Sequence, residues 1–223
     1  MSHRIRPARR TGSFDWDCDE PELIEYATEI GLLWLQREKQ RKHVTADILN
    51  KACGILSEEI FSADLNELNI PHLRTVPLLS KEHPVNKGKP YDIKIQDVTI
   101  DVKANSPIPC KEGWGHSESL NLNKAESDAH GACDIYVATK DMPELPFEQG
   151  PDKQDEKAGL EFAVKILKQV KRVKFLGWAY GKELIQEANL KQGYAPYYQL
   201  FPRELHSMQE FEVKFRIPLE VVT

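Results

Sequence analysis

Apolar and polar residues alternate most regularly between residues 90 and 105, and this stretch predicts a β-hairpin. The apolar positions of its two arms are Ile93, Ile95, Val98, Ile100 and Val102. The polar pair Gln96-Asp97 separates the arms. An alternation of period two is typical of a half-buried strand, and a two-residue polar interruption is typical of a hairpin turn. Such a turn pairs Ile95 with Val98 and Ile93 with Ile100.

Two stretches before the hairpin carry apolar residues at helical spacing. We predict helices over residues 21–41 and 45–63, followed by a strand over residues 73–79. Pro21 suits the first position of the earlier helix, and Thr45 is a favourable N-cap for the later one. The pattern therefore predicts a helix, a strand and the hairpin in that order.

The segments after the hairpin alternate between helical and strand patterns. We predict helices over residues 119–130, 160–170 and 182–190, and strands over residues 133–139, 173–179 and 211–222. The segment 160–170 also shows strand-like alternation at Phe162, Val164 and Ile166, although its helical pattern is stronger. Strands that alternate with helices indicate an α/β fold, here a small mixed β-sheet flanked by helices.

The length of 223 residues fits a single domain with an appendage. Residues 1–20 are predicted to form a flexible basic arm, because arginines stand there without an apolar pattern. Residues 21–223 are predicted to form the domain, with its core over about 45–190 and a C-terminal extension over 191–223.

Composition narrows the class of protein. There is no apolar run long enough for a membrane span or a secretory signal, so no membrane partner is expected. Four cysteines without a C-x-x-C pair predict free thiols and a cytoplasmic location. The net charge of −5 does not exclude nucleic-acid binding, because only the binding groove must be basic. Motifs of triad hydrolases, P-loop NTPases and dinucleotide-binding enzymes are missing.

The hairpin also carries the candidate chemistry. The predicted register places Asp92 directly opposite Asp101, on the face that the apolar residues do not use, and Lys94 and Lys103 share that face. Facing carboxylates repel one another unless a cation lies between them. The cation could be lysine, which makes the face a solvated set of ion pairs. It could instead be a hard divalent metal bound by Asp92 and Asp101, with Lys103 beside it.

A glutamate on the second predicted helix adds to this hypothesis. Projection at 100° per residue places Glu59 within the apolar stripe of the helix, whereas Glu58 points away. A carboxylate directed into a core is costly unless it is paired or bound to metal. Glu59 is therefore a candidate metal ligand, with pairing to a lysine as the alternative.

Tyr91-Asp92 followed by Asp101-Val102-Lys103 resembles the signature of the PD-(D/E)xK nuclease superfamily. The resemblance implies a restriction-endonuclease-like core and a Mg²⁺-dependent endodeoxyribonuclease, with Mn²⁺ as a possible substitute. It further implies that Asp92, Asp101, the Val102 carbonyl and Glu59 hold the metal, and that Lys103 positions the attacking water. The alternative is a domain of the same fold that binds nucleic acid without cutting it.

The resemblance also suggests where nucleic acid would lie. Asn105, Lys111, Asn121 and Lys124 follow the motif, in a loop and on the next predicted helix, and are candidate nucleic-acid contacts. The expected partner is duplex or branched DNA, and the superfamily's frequent two-fold dimers make a homodimer possible.

Overall fold

A computed structural model describes residues 15–17, 21–35, 44–75, 91–105, 118–143, 156–193 and 195–216. The helices are α1 (Pro21–Leu35), α2 (Val44–Glu67), α3 (Lys124–His130), α4 (Glu156–Leu167), α5 (Gly181–Leu184) and α6 (Met208–Phe215). The strands are β1 (Asp15–Asp17), β2 (Leu73–Arg74), β3 (Ile93–Ile95), β4 (Val98–Asn105), β5 (Leu120–Asn123), β6 (Ile135–Pro143), β7 (Val170–Tyr180), β8 (Leu190–Lys191) and β9 (Tyr197–Leu200).

Six strands form a mixed sheet in the order β1-β7-β6-β4-β3-β2. Among the strands that the structure describes, only β4 and β6 are parallel neighbours in this sheet, and the connection between them contains β5 and α3. Strands β5, β9 and β8 form a separate antiparallel sheet. The prediction of an α/β fold with a small mixed sheet flanked by helices is confirmed.

The two faces of the large sheet have different coverings. On β6, Ile135 and Val137 pack into the core formed with α1, α2 and α4, whereas Tyr136 and Ala138 pack against β5 and β9. Successive residues of a strand point to opposite faces, so β4 directs Ile100 and Val102 toward the helices. Asp101 and Lys103, which alternate with them, therefore belong to the face that also carries α3 and the small sheet.

The hairpin and the two preceding helices agree with the sequence pattern. Strands β3 and β4 pair Ile95 with Val98 and Ile93 with Ile100, as predicted. Helix α1 ends at Leu35 within the described residues, and α2 continues past the predicted end to Glu67. The strand predicted over 73–79 is described only at Leu73–Arg74, and residues 76–79 lie outside the described ranges.

The helix predicted over residues 119–130 begins later than expected. Residues Leu120–Asn123 form β5, in which Leu120 and Leu122 are buried and the two asparagines are exposed. The Asn123 side chain then caps α3 by accepting a hydrogen bond from the Ala125 amide at 2.9 Å. Asparagine stabilises a helix as an N-cap, so the helix starts immediately after it.

The strand predicted over residues 211–222 is wrong where the structure describes it, because Met208–Phe215 is helix α6. Ser207 and Glu210 form a reciprocal capping box, in which the Ser207 amide donates to Glu210 Oε2 at 3.0 Å and the Glu210 amide donates to Ser207 Oγ at 3.3 Å. This arrangement nucleates a helix by satisfying two otherwise unpaired backbone donors. Residues 217–223 are outside the described part of the chain.

Other differences concern the ends of elements. The helix predicted over 182–190 is only a short helix, α5, followed by a 3₁₀ turn at Glu187–Asn189. The flexible arm predicted over residues 1–20 is wrong at Asp15–Asp17, which form β1 at the edge of the sheet beside β7. Residues 1–14 and 18–20 are not among the described residues.

Cys53 and Cys133 are buried and are not joined in a disulfide, as predicted, whereas Cys18 and Cys110 fall outside the described residues. No helix in the described ranges is long and apolar enough to cross a bilayer.

Candidate active site

Asp92 stands at the end of the hairpin, where the regular pairing of β3 and β4 stops. Its amide donates to the Ile100 carbonyl at 2.9 Å, and its own carbonyl accepts from the Thr75 amide at 2.8 Å. The Asp92 carboxylate reaches across to β4, where Oδ2 accepts a hydrogen bond from the Val102 amide at 2.8 Å. Backbone contacts on both sides therefore fix the direction of this carboxylate.

Asp101 lies beside Asp92 and is almost completely buried, with a relative exposure of 7%. The two carboxyl groups interact directly. Burial raises the pKa of Asp92 well above its ordinary range, and the charges of Glu58 and Asp101 raise this pKa further. Burial also raises the pKa of Asp101, although Lys103 opposes that change. The structure thus brings together the two aspartates that the sequence placed on facing strands.

Lys103 connects this acidic pair to α3. Its Nζ lies 2.8 Å from Asp101 Oδ2 and 2.7 Å from Glu126 Oε1. Burial alone would lower the pKa of Lys103, but the two carboxylates outweigh burial and raise this pKa. An ammonium held by two carboxylates stays protonated at neutral pH, so Lys103 acts here as a cation and hydrogen-bond donor.

Glu58, which we predicted to point away from the apolar stripe of α2, is the helix glutamate whose charge acts on Asp92 and Asp101. Its side chain is 13% exposed, and it interacts with Arg74, Asp101 and Lys103. Burial raises the pKa of Glu58 to about 7, and the charge of Asp101 contributes to this rise.

Glu59, the predicted metal ligand, instead forms an ion pair with Nη1 of Arg74 on β2. Arg74 also lies 3.7 Å from Glu58, measured from Nη2 to Oε2. The helical projection failed because α2 is buried on more than one side: Leu49, Leu56, Phe61 and Leu65 are all inaccessible. A helix without a single apolar stripe does not indicate which of two adjacent glutamates faces the site.

The predicted nucleic-acid contacts have structural partners where they are described. The Asn105 amide donates to the Thr139 carbonyl at 2.8 Å, and Asn121 donates to Ser119 Oγ at 2.9 Å. Lys124 is paired with Asp128 on the same helix and faces solvent. Lys111 lies outside the described residues.

Sequence reasoning missed Glu126, which occupies the first turn of α3. It stands 23 positions after Lys103 and follows a boundary between strand and helix that the pattern did not locate. The available signal was Asn123, because an N-cap there places Glu126 at a defined position in the first turn.

No family model, curated protein or solved structure matches this chain. The interpretation of the site therefore depends on the arrangement of its side chains.

The carboxylate oxygens of Asp92 and Asp101 are of the type that binds a hard divalent cation. Among the described residues, no three His, Cys, Asp or Glu side chains form a metal-ligand group by themselves. Mg²⁺, however, is commonly held by one or two carboxylates, with water and substrate oxygens completing its coordination. Two desolvated carboxyl groups that interact directly fit this pattern, because a cation would offset both the burial and the repulsion that raise the Asp92 pKa.

The raised Glu58 pKa predicts an unusual pH dependence for the metal-free protein. The folded state holds a proton on Glu58 up to about pH 7, whereas an ordinary glutamate loses it near 4.5. The free energy of unfolding should therefore fall as the pH rises through this interval, with Glu58 accounting for about 3 kcal/mol. Urea denaturation between pH 4.5 and 7.5 measures this slope. Glu58→Gln should flatten the slope, and an unchanged slope in this variant would contradict the prediction.

Proposed function

We propose that this protein is a Mg²⁺-dependent deoxyribonuclease, an endonuclease of the PD-(D/E)xK type. The observation that carries the proposal is the direct interaction between Asp92, which immediately precedes β3, and Asp101 on β4, with Lys103 bonded to Asp101 at 2.8 Å. Two acidic oxygen donors beside a protonated amine are the groups needed to bind a divalent cation and to neutralise a phosphate.

The order of elements around the site supports the proposal. Helix α2 and strand β2 precede the hairpin β3–β4, which carries the site, and α3 and β6 follow it after the additional short strand β5. Apart from β5, the resemblance implies this same succession. The order of elements alone does not determine a reaction, so the proposal depends mainly on the side chains of the site.

Asp92 and Asp101 would hold the metal, with the Val102 carbonyl and Glu58 as further oxygen donors. When bound, Mg²⁺ polarises a phosphate oxygen and makes water a stronger nucleophile. The protein supplies a fixed direction for the Asp92 carboxylate through the Val102 amide, and a positive charge at Lys103 Nζ. Lys103 would donate its third N–H to the phosphate, which becomes more negative during attack. The expected products carry a 5′-phosphate and a 3′-hydroxyl.

The direct test incubates the full chain with supercoiled, linear, single-stranded and branched DNA, with and without Mg²⁺ or Mn²⁺. Metal-dependent cleavage of at least one substrate is expected, and EDTA should abolish it. Binding of DNA without cleavage under any of these conditions would overturn the proposal in favour of a non-catalytic nucleic-acid-binding domain.

The two adjacent glutamates of α2 provide a matched comparison. Glu58→Gln should lower the rate of cleavage by about 100-fold, because it removes a carboxylate whose charge acts on the aspartates, and this factor corresponds to about 3 kcal/mol. Glu59→Gln should change the rate less than about 3-fold, because Glu59 is paired with Arg74. Single-turnover cleavage at saturating Mg²⁺, below the melting temperature of both variants, measures the difference. Equal losses in the two variants would contradict the assignment of Glu58.

A further inference from the structure

The Lys103 ammonium is held by carboxylates from two separate elements. Asp101 belongs to the same strand, whereas Glu126 belongs to α3, in the connection between β4 and β6. The distances from Nζ are similar, 2.8 Å to Asp101 and 2.7 Å to Glu126. Lys103 is therefore anchored from two directions.

The position of Glu126 is fixed by the packing of its surroundings. Strand β5 buries Leu120 and Leu122 and pairs with β9, so the chain entering α3 is held against the small sheet. The Lys124 amide donates to the Pro196 carbonyl at 3.0 Å, and Asn123 caps the helix. Glu126 thus reaches Lys103 from an anchored helix start.

This contact differs from an ordinary surface ion pair. The Lys103 side chain is 23% exposed, and it adjoins the buried Asp101. On the same helix, Lys124 and Asp128 form an i,i+4 pair whose members are both more exposed, and such pairs contribute little to stability. Asp128 therefore offers a comparison of equal charge, two residues away, that does not contact Lys103.

The hydrogen-bonding capacity of the Lys103 ammonium explains how Glu126 could affect the reaction. An ammonium carries three N–H donors, of which two point to carboxylates here, and one is left for a phosphate oxygen. Holding the flexible lysine stem before the substrate arrives removes the entropic cost of ordering it from the reaction. The negative charge of Glu126 also repels an incoming phosphate. Glu126 should therefore raise kcat and raise KM.

We propose that Glu126 is a positioning residue for the nuclease reaction, which together with Asp101 holds the Lys103 ammonium where it contacts the scissile phosphate. This inference rests on the proposed function. Glu126 contacts Lys103 and acts through it.

The test compares cleavage kinetics of Glu126→Ala, Glu126→Gln and Asp128→Ala in the full chain. Glu126→Ala should lower kcat by about 10- to 30-fold and also lower KM, because one anchor and one repulsive charge are both lost. Glu126→Gln keeps an oxygen that accepts a hydrogen bond from Lys103, so its kcat should lie within about 3-fold of that of the unaltered protein. Its KM should be as low as that of Glu126→Ala, because the negative charge is lost in both variants. Asp128→Ala should lower KM slightly and leave kcat unchanged. Thermal unfolding verifies that each variant is folded.

A second readout does not require activity. Acetylation of Lys103 Nζ, followed by mass spectrometry, should be slow in the unaltered protein and faster in Glu126→Ala, with no change in Asp128→Ala. If the unaltered protein is active, two results would overturn the positioning role alone. One is an equal kcat for Glu126→Ala and Asp128→Ala, and the other is a kcat for Glu126→Gln that is as low as that of Glu126→Ala. A protein that cleaves no DNA with Mg²⁺ or Mn²⁺ would overturn the proposed function and this role with it, whatever the labelling shows.

Discussion

Asp101→Asn should lower Mg²⁺-dependent cleavage by at least about 1000-fold, which corresponds to about 4 kcal/mol of lost transition-state stabilisation. The amide keeps the shape of the side chain but removes the negative charge that would hold the cation. The stability of the metal-free protein should change little, because the relief of repulsion with Asp92 is offset by a weaker contact with Lys103, which keeps its ion pair with Glu126. Loss of activity together with retained or increased stability identifies a functional residue. Single-turnover cleavage and urea denaturation measure the two effects.

Asp97→Asn is the matched control for this variant. Asp97 lies in the turn of the same hairpin, its side chain is fully exposed, and it pairs only at the surface with Lys94. Asparagine is well suited to a hairpin turn, so both activity and stability should stay close to those of the unaltered protein. Cleavage by Asp101→Asn within tenfold of the Asp97→Asn rate would contradict the metal-binding role of Asp101.

Lys103→Met should lower the cleavage rate by about 100- to 1000-fold and should also destabilise the metal-free protein. The thioether side chain preserves length and packing but leaves Asp101 and Glu126 without their cation. Removing one partner of a buried ion pair commonly costs about 3–5 kcal/mol, and the partial exposure of Lys103 places the expected loss toward the lower end. Saturating Mg²⁺ should recover part of the stability but little of the activity, because the metal neutralises the acids without replacing the lysine donor.

Lys94→Met provides the corresponding control on the neighbouring strand β3. Its ion pair with the exposed Asp97 spans 3.3 Å at the surface, so its loss should change the free energy of unfolding by less than about 1 kcal/mol. Denaturation with and without Mg²⁺, combined with cleavage rates, tests both variants. If Lys103→Met behaves like Lys94→Met, then the Lys103 ammonium is neither structural nor functional.

Local rules predicted the hairpin because the alternation and the turn that define it lie within sixteen residues. Alternation selects the buried face, and the two-residue turn sets the register. That register places Asp92, Asp101 and Lys103 near one another, so most of the acidic site could be predicted from the chain alone. The same kind of signal, Ser207 followed three residues later by Glu210, was present before α6, but the alternation of the following residues obscured it.

Local rules failed where the decisive neighbour is distant in sequence. Whether Glu58 or Glu59 faces the aspartates depends on how α2 is rotated against the sheet, and α2 is buried on too many sides for periodicity to reveal that rotation. The pairing of Arg74 with Glu59 depends on β2 lying at the edge of the sheet beside β3. These contacts depend on how distant elements pack together, and a short stretch of sequence does not reveal that packing.

The sequence by itself determined the α/β class, the register of the hairpin and the three motif side chains, because strand alternation and turn length act between near neighbours. Only the tertiary structure decided which glutamate joins the aspartates and that Glu126 shares Lys103 with Asp101. Those partners come from α2 and α3, whose rotation and starting point are set by burial of apolar side chains against the two sheets.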